Sequence, residues 1–86
     1  MSPRFERQLK RFYRRNPQLR QRVRETFRSL ELDPFQPRLR LHALRGNFEG
    51  FHAVRIDYSN RIILTLRIET KSIRLIDIGS HDEVYR

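Results

Sequence analysis

The sequence predicts an α+β fold, in which an N-terminal antiparallel helical hairpin packs on a twisted antiparallel sheet of three to four strands. Apolar residues recur at helical spacing through the first third of the chain, whereas short alternating runs rich in β-branched residues fill the second half. The 86 residues contain no linker, repeat or low-complexity segment. A chain of this length and composition is expected to form a single domain, residues 1–86.

The first two elements are predicted to be helices because each opens with a capping residue followed by proline. Ser2 and Pro3 provide an N-cap and a proline at the first helical position, and Asn16 and Pro17 are expected to end that helix and to start another in the same way. The second helix is expected to stop at Asp33. The two apolar stripes are Phe5, Leu9, Phe12, Tyr13 and Leu19, Val23, Phe27, Leu30. Because the connection is short, the helices should lie antiparallel, with both stripes in the core.

The rest of the chain is predicted to form strands. Leu39, Leu41 and Ala43 alternate with polar residues, which predicts a short half-buried strand before a glycine-containing loop. Three longer runs follow, and the middle run is the richest in β-branched residues, which favours a central position. Short polar turns separate the runs, so antiparallel hairpins should join them. The runs cover residues 51–57, 61–68 and 73–78.

The positive charge is concentrated in the N-terminal half. The formal net charge is +9, and residues 1–45 hold 13 Lys/Arg against 4 Asp/Glu, whereas residues 46–86 are balanced. A polyanion is the natural partner of such a surface, because each phosphate contact releases condensed counterions. An ordinary solvated surface, or an acidic protein partner, would also explain it. The arginines expected on the outer helix faces are Arg7, Arg11, Arg14, Arg15, Arg20, Arg24 and Arg28.

Composition also excludes several classes of protein. The chain has no cysteine, which excludes disulfides and thiolate metal sites and agrees with a reducing compartment. It has no apolar run long enough to span a bilayer, so we expect a cytoplasmic protein without a membrane partner. The three histidines lack metal-ligand spacing, and no glycine-rich phosphate loop is present. We therefore expect neither a metal nor another cofactor.

Two strand arginines form the first candidate site. Strand alternation and a hairpin between the second and third runs would place Arg55 beside Arg61 on the sheet face away from the helices. Two like charges that close repel each other, which favours an anion between them. The alternative is that both are solvent-facing arginines paired with Asp57.

The C-terminus is the second candidate site. His81 and Tyr85 follow an apolar run that ends at Gly79. Histidine exchanges protons near neutral pH, and the tyrosine offers a phenol for hydrogen bonding and a ring for base stacking. The alternative is a strand with an ordinary polar tail.

The order of several motifs resembles one toxin superfamily over essentially the whole chain. The most specific motifs are His-Ala-Leu-Arg-Gly at 42–46, followed by Gly50, and Gly-Ser-His-Asp-Glu-Val-Tyr at 79–85. They are similar to the RelE/ParE toxins, and especially to the YafQ-like mRNA interferases of bacterial type II toxin–antitoxin systems. The resemblance implies a microbial RNase fold that cleaves mRNA in the ribosomal A site without a metal ion. The implied partners are a cognate antitoxin, mRNA and the ribosome.

The resemblance also implies roles for individual residues. By position, the catalytic set is His42, Arg55, Arg61, His81 and Tyr85. The basic residues expected to bind RNA are Lys10, Arg11, Arg14, Arg15, Arg38, Arg40 and Arg45. Three positions depart from the YafQ-like pattern, because Arg55 replaces a histidine, Ser59 an aspartate and Asn60 an aromatic residue. The identity of the general base therefore stays open.

Three other functions stay open as well. A ParE-like toxin would inhibit DNA gyrase by binding, although such chains generally lack the histidine and tyrosine ending. A non-catalytic RNA- or ribosome-binding module would depend on the basic helices alone. A decayed toxin would bind its antitoxin without cutting RNA. The chain also lacks the N-terminal strand usual in the family, which predicts an uncovered sheet edge that an antitoxin strand could occupy.

Overall fold

The computed structural model describes residues 1–85 and shows helices followed by a four-stranded antiparallel sheet. The strands lie in the order β1-β2-β3-β4, so every neighbouring pair is a sequential hairpin or meander connection. The α+β prediction is confirmed. The elements are α1 (Pro3–Arg15), α2 (Arg20–Leu32), β1 (His42–Ala43), β2 (His52–Arg55), β3 (Asn60–Arg67), β4 (Ser72–Ser80) and α3 (His81–Val84). No helix within residues 1–85 is long and apolar enough to cross a membrane.

The helix starts follow the predicted capping only in part. The Ser2 hydroxyl accepts a hydrogen bond from the Phe5 amide at 3.2 Å, so α1 begins as expected. Asn16, however, caps the end of α1: its side-chain amide donates to the Phe12 carbonyl oxygen at 3.1 Å. Residues 17–19 then form a 3₁₀ turn, and α2 begins only at Arg20. The prediction that Asn16 and Pro17 end the first helix is confirmed, whereas the predicted side-chain cap of the second helix is wrong, because the Asn16 side chain binds the Phe12 carbonyl oxygen and makes no capping hydrogen bond to the next turn.

The two apolar stripes form the main core, as predicted. Phe5 of α1 and Phe27 of α2 pack with ring centroids 6.3 Å apart. Their stripes cover one face of the sheet, where Ile62 and Leu64 of β3 are fully buried. The opposite face of β2 and β3 carries a smaller cluster of Ala53, Ile63 and Val84.

The predicted strand around Leu39 and Leu41 is wrong. Residues 37–39 form a 3₁₀ turn, and β1 contains only His42 and Ala43. Pro37 lacks an amide hydrogen and fixes φ, which favours the turn over a sheet ladder. Leu39 is buried to 1% exposure and anchors this turn in the main core. The apolar alternation therefore indicated the burial of Leu39 and the partial burial of Leu41, but not strand structure, and Ala43 is exposed.

The hairpin between β2 and β3 has the predicted register. Arg55 lies directly opposite Arg61, and Ala53 opposite Ile63. The turn is fixed by the Asp57 carboxylate, whose Oδ1 accepts hydrogen bonds from the Ser59 and Asn60 amides at 2.9 and 2.8 Å. The structure therefore places both arginines on the face away from α1 and α2.

The C-terminal segment forms a short helix instead of the polar tail considered from sequence. Ser80 ends β4 and caps α3: its hydroxyl accepts from the Glu83 amide at 3.2 Å, while Glu83 Oε1 accepts from the Ser80 amide at 3.1 Å. This reciprocal capping box satisfies backbone donors at the start of the helix. The helix buries Val84 against the face of the sheet that carries the arginines.

The strand β4 lies at one edge of the sheet. Within residues 1–85 its only strand neighbour is β3.

Candidate active site

An open cavity of about 920 Å³ lies where β1, β2, β3 and α3 meet. Four of the five predicted catalytic residues line it, namely His42, Arg55, Arg61 and His81. They come from four different elements, so the cavity exists only in the folded chain. The remaining lining residues are Arg40, Leu41, Tyr58, Ser59, Ser80 and Asp82.

The two arginines are held by main-chain oxygens, which leaves their charges uncompensated. Arg61 Nη1 donates to the carbonyl oxygens of Asp57 and Tyr58 at 2.8 and 3.1 Å. Arg55 Nε donates to the same Asp57 carbonyl at 3.3 Å. No carboxylate of residues 1–85 lies within 4.0 Å of either guanidinium. The alternative of ion pairs with Asp57 is therefore wrong, because its carboxylate is used in the turn.

His42 has one ring nitrogen fixed by the backbone. Its Nδ1 lies 2.8 Å from the Arg40 carbonyl oxygen. Because a carbonyl can only accept, Nδ1 carries the hydrogen, and in the neutral ring Nε2 holds the lone pair. Arg40 has φ +50°, in the left-handed region that residues other than glycine rarely adopt. This strained backbone conformation supplies the oxygen that orients His42.

His81 is supported by an aromatic stack. Its ring centroid lies 4.5 Å from that of Tyr85 in an edge-to-face arrangement, and Tyr85 meets Phe48 in the same way at 5.7 Å. Tyr85 does not line the cavity. Burial raises the pKa of the Tyr85 phenol, with the nearby Arg61 charge opposing the shift. The phenol therefore keeps its proton at neutral pH and can act as a hydrogen-bond donor.

The helix that carries His81 is fastened to α1 by an ion pair. Arg15 Nη1 donates to Glu83 Oε2 at 2.6 Å. Hydrogen bonds from the Ser80 backbone and side chain lower the pKa of the Glu83 carboxyl, and the charge and hydrogen bond of Arg15 add to this. Gly79 allows α3 to pack closely against β4, because a Cβ atom at this position would meet Val84 Cγ1 at 3.3 Å. These contacts set where His81 stands relative to the sheet.

The predicted RNA-binding residues are distributed over several surfaces. Arg40 lines the cavity, and Arg38 lines a neighbouring cleft that also contains Arg55. Arg15 is engaged with Glu83, and Arg11 lies beside it in a groove between α1 and α3. The remaining three are exposed and outside the cavity: Lys10, Arg14 and Arg45. The structure thus brings one of the seven into the candidate active site.

Sequence reasoning missed the residues that hold the site together. Tyr58, Ser59 and Asp82 line the cavity without having been predicted to do so. The Ser80–Glu83 pair had a readable signal, because Ser-x-x-Glu is the sequence signature of a capping box. Within residues 1–85, no group of three or more histidine, aspartate or glutamate side chains is close enough to hold a metal ion.

The fold places the chain in a class of small α+β proteins whose solved structures include the toxins YafQ and YoeB. Within this class, the chain belongs to the family described as the bacterial toxin of type II toxin–antitoxin system, YafQ, whose model matches residues 1–86. No curated protein matches the chain in sequence.

Three solved structures illustrate the likeness in fold. The structure of YafQ from E. coli strain BL21(DE3) has a TM-score of 0.83 at 16% identity, covering 99% of this chain and 93% of that one. The E. coli DinJ–YafQ complex has a TM-score of 0.79 at 17% identity, with coverage of 99% and 93%. The YoeB–YefM complex from Staphylococcus aureus has a TM-score of 0.71 at 20% identity, with coverage of 93% and 91%.

Proposed function

We propose that the protein is an endoribonuclease toxin that cleaves mRNA, with the ribosomal A site as the place of cleavage. The observation that carries the proposal is the convergence of two histidines and two unpaired arginines on one cavity. Imidazoles can exchange protons near neutral pH, and fixed guanidinium groups can stabilise a phosphorane. Because the His42 Nδ1 is bound to a carbonyl oxygen, its Nε2 is available as a proton acceptor, which favours catalysis over binding alone.

The proposed reaction is a transesterification within the RNA. His42 Nε2 removes the proton of the 2′-hydroxyl as its oxygen attacks the adjacent phosphorus. Arg55 and Arg61 stabilise the additional negative charge of the phosphorane. His81 gives a proton to the departing 5′-oxygen, so the products are a 2′,3′-cyclic phosphate and a 5′-hydroxyl. Tyr85 holds the His81 ring in position through their edge-to-face contact.

Two substitutions test this mechanism. Arg61→Ala and His81→Ala should each abolish mRNA cleavage while leaving ribosome affinity largely unchanged, because binding is spread over many other basic residues. Removal of one group that stabilises the transition-state charge typically costs about a hundredfold or more in rate. Cleavage and ribosome co-sedimentation are measured on the same purified variants. Wild-type cleavage by both would rule out the mechanism.

The second part of the proposal concerns the partners. Relatives of the same fold have been solved as the DinJ–YafQ toxin–antitoxin complex and as the YoeB–YefM complex. We propose that a cognate antitoxin binds this chain and that the protein acts in the cytoplasm, where its mRNA and ribosome partners are found. The outer edge of β4 has no strand neighbour within residues 1–85, although Arg4 Nη1 donates to the Ile76 carbonyl oxygen at 2.8 Å, and this edge is where we propose that a strand of the antitoxin pairs. Pairing at this edge should slow the hydrogen exchange of outward-facing β4 backbone amides in the complex; unchanged exchange along β4 would exclude it.

A further inference from the structure

A second cationic cleft adjoins the candidate active site. It has a volume of about 300 Å³ and lies between α2, the turn of residues 37–39 and the end of β2. Three arginines line it: Arg22, Arg38 and Arg55. The other lining residues are Glu25, which is the one carboxylate among them, and Thr26, Leu39 and Ile56. The cleft therefore carries an excess of positive charge.

The arginines of this cleft have no acidic partner. No carboxylate of residues 1–85 lies within 4.0 Å of the guanidinium groups of Arg22, Arg38 or Arg55. Arg22 is fixed instead by donating from Nε to the Ile56 carbonyl oxygen at 2.8 Å. Glu25 accepts a hydrogen bond from Gln21, its neighbour one helical turn earlier, at 3.4 Å. Like charges gathered without counter-charges are costly, and an anion between them would relieve the repulsion.

Arg55 connects the cleft to the active-site cavity. It is the one residue that lines both. The segment between the two spaces is short and firmly placed: Leu39 is buried, Arg38 faces the cleft, and Arg40 faces the cavity. A single-stranded polyanion bound in the cavity can thus continue past Arg55 into the cleft without leaving a positively charged path.

We propose that this cleft is a phosphate subsite for the RNA strand, holding a phosphate next to the scissile one. The inference rests on the proposed RNA substrate. It adds the path of the RNA strand and the residues that increase the affinity for longer strands. Arg38 contacts the phosphate, Arg22 provides a second charge from a fixed position, and Arg55 touches both phosphates. Because these contacts go to the backbone and not to base edges, the subsite increases affinity without sequence preference.

The test measures RNA binding separately from cleavage. Single-stranded oligonucleotides of two to eight nucleotides carry 2′-O-methyl groups throughout, so the attacking hydroxyl is absent. Their affinity is measured by fluorescence anisotropy between 50 and 200 mM KCl for the wild type and Arg38→Gln. Arg38 is exposed and makes no backbone hydrogen bond within residues 1–85, so this change should leave the melting temperature unaltered. The matched control is Arg28→Gln, an exposed α2 arginine that lines neither space.

The length of the oligonucleotide decides the outcome. Arg38→Gln should weaken binding of the longer strands by about tenfold, the size expected for one charge-assisted hydrogen bond, and should leave the dinucleotide unaffected. The slope of log K against log salt should fall by about 0.7, the value for one phosphate contact on a single strand. Arg28→Gln should change affinity less than twofold at every length.

Three results would overturn the subsite. Arg38→Gln could match Arg28→Gln at every length, or it could weaken the dinucleotide as much as the octamer. The wild type could also bind no oligonucleotide while still cutting mRNA, which would remove the subsite and leave the proposed function standing. Conversely, the length-dependent loss in Arg38→Gln, found for a protein that cuts no RNA, would support a phosphate site in the cleft and contradict the nuclease.

Discussion

Replacing Arg15 with glutamine should loosen the helix that carries His81, although Arg15 does not line the cavity. The bond from Arg15 Nη1 to Glu83 Oε2 is 2.6 Å long, but the two side chains are 57% and 40% exposed. After solvent screening, such a pair contributes about 0.5–1 kcal/mol, which is about a two- to fivefold change in the ratio of docked to undocked α3. A helix of four residues cannot persist alone, so contacts of this size govern its docking.

Hydrogen exchange measures this loosening directly. The His81 and Tyr85 amides, which donate to the Ser59 and His81 carbonyl oxygens, should exchange about two to five times faster in Arg15→Gln. The kcat for mRNA cleavage should fall by no more than that factor, with KM unchanged. Arg14→Gln, one residue away and exposed, is the matched control for hydrogen exchange and should leave the exchange rates unchanged. A raised KM with unchanged hydrogen exchange would refute this reasoning and would indicate that Arg15 binds RNA directly.

Three further predictions follow from the same region. Gly79→Ala should destabilise the protein by about 1 kcal/mol in denaturant unfolding, because the new methyl group presses on Val84; unchanged stability would mean that α3 does not pack as described. Arg40→Gly should raise stability by about 0.5–1 kcal/mol by removing left-handed strain, whereas Arg40→Ala should give no gain. Because its folded-state pKa is lowered from 4.5, Glu83 stabilises the fold at neutral pH, and this contribution should be lost as pH falls below 4.5 through the folded pKa. Amide exchange in α3, corrected for its intrinsic pH dependence, should rise over that range, and Glu83→Gln should abolish the rise.

Local patterns were enough to predict most of the fold. The helical stripes report directly which residues face the core, because their 3.6-residue period is set by backbone geometry. The pairing of Arg55 with Arg61 was predictable for a similar reason: strand alternation and a short turn leave few possible registers. Residues 37–41 show where such reasoning fails. Leu39 is buried in a 3₁₀ turn, although its alternation with Leu41 and Ala43 is the pattern expected of a strand.

The contacts that complete the site were harder to predict. Arg15 and Glu83 are separated by 68 residues, and no local pattern indicates that α1 passes beside α3. The helix α3 was hard to predict for a similar reason. Four residues are too few to form a helix by propensity, and α3 is stabilised by the burial of Val84. Asp57 was considered as an ion-pair partner, but hydrogen bonds to the turn amides compete successfully for its carboxylate. In each case a tertiary or turn interaction decided the outcome.

Mapping of mRNA 5′ ends after induced expression tests the central claim most directly. Cells that express the wild type are compared with cells that express His81→Ala at the same level. The proposed function predicts new 5′ ends at a fixed position within codons of translated mRNAs, and their loss in the variant. The same ends in both strains, or no new ends in the wild type, would contradict the claim that this cavity cuts mRNA on the ribosome.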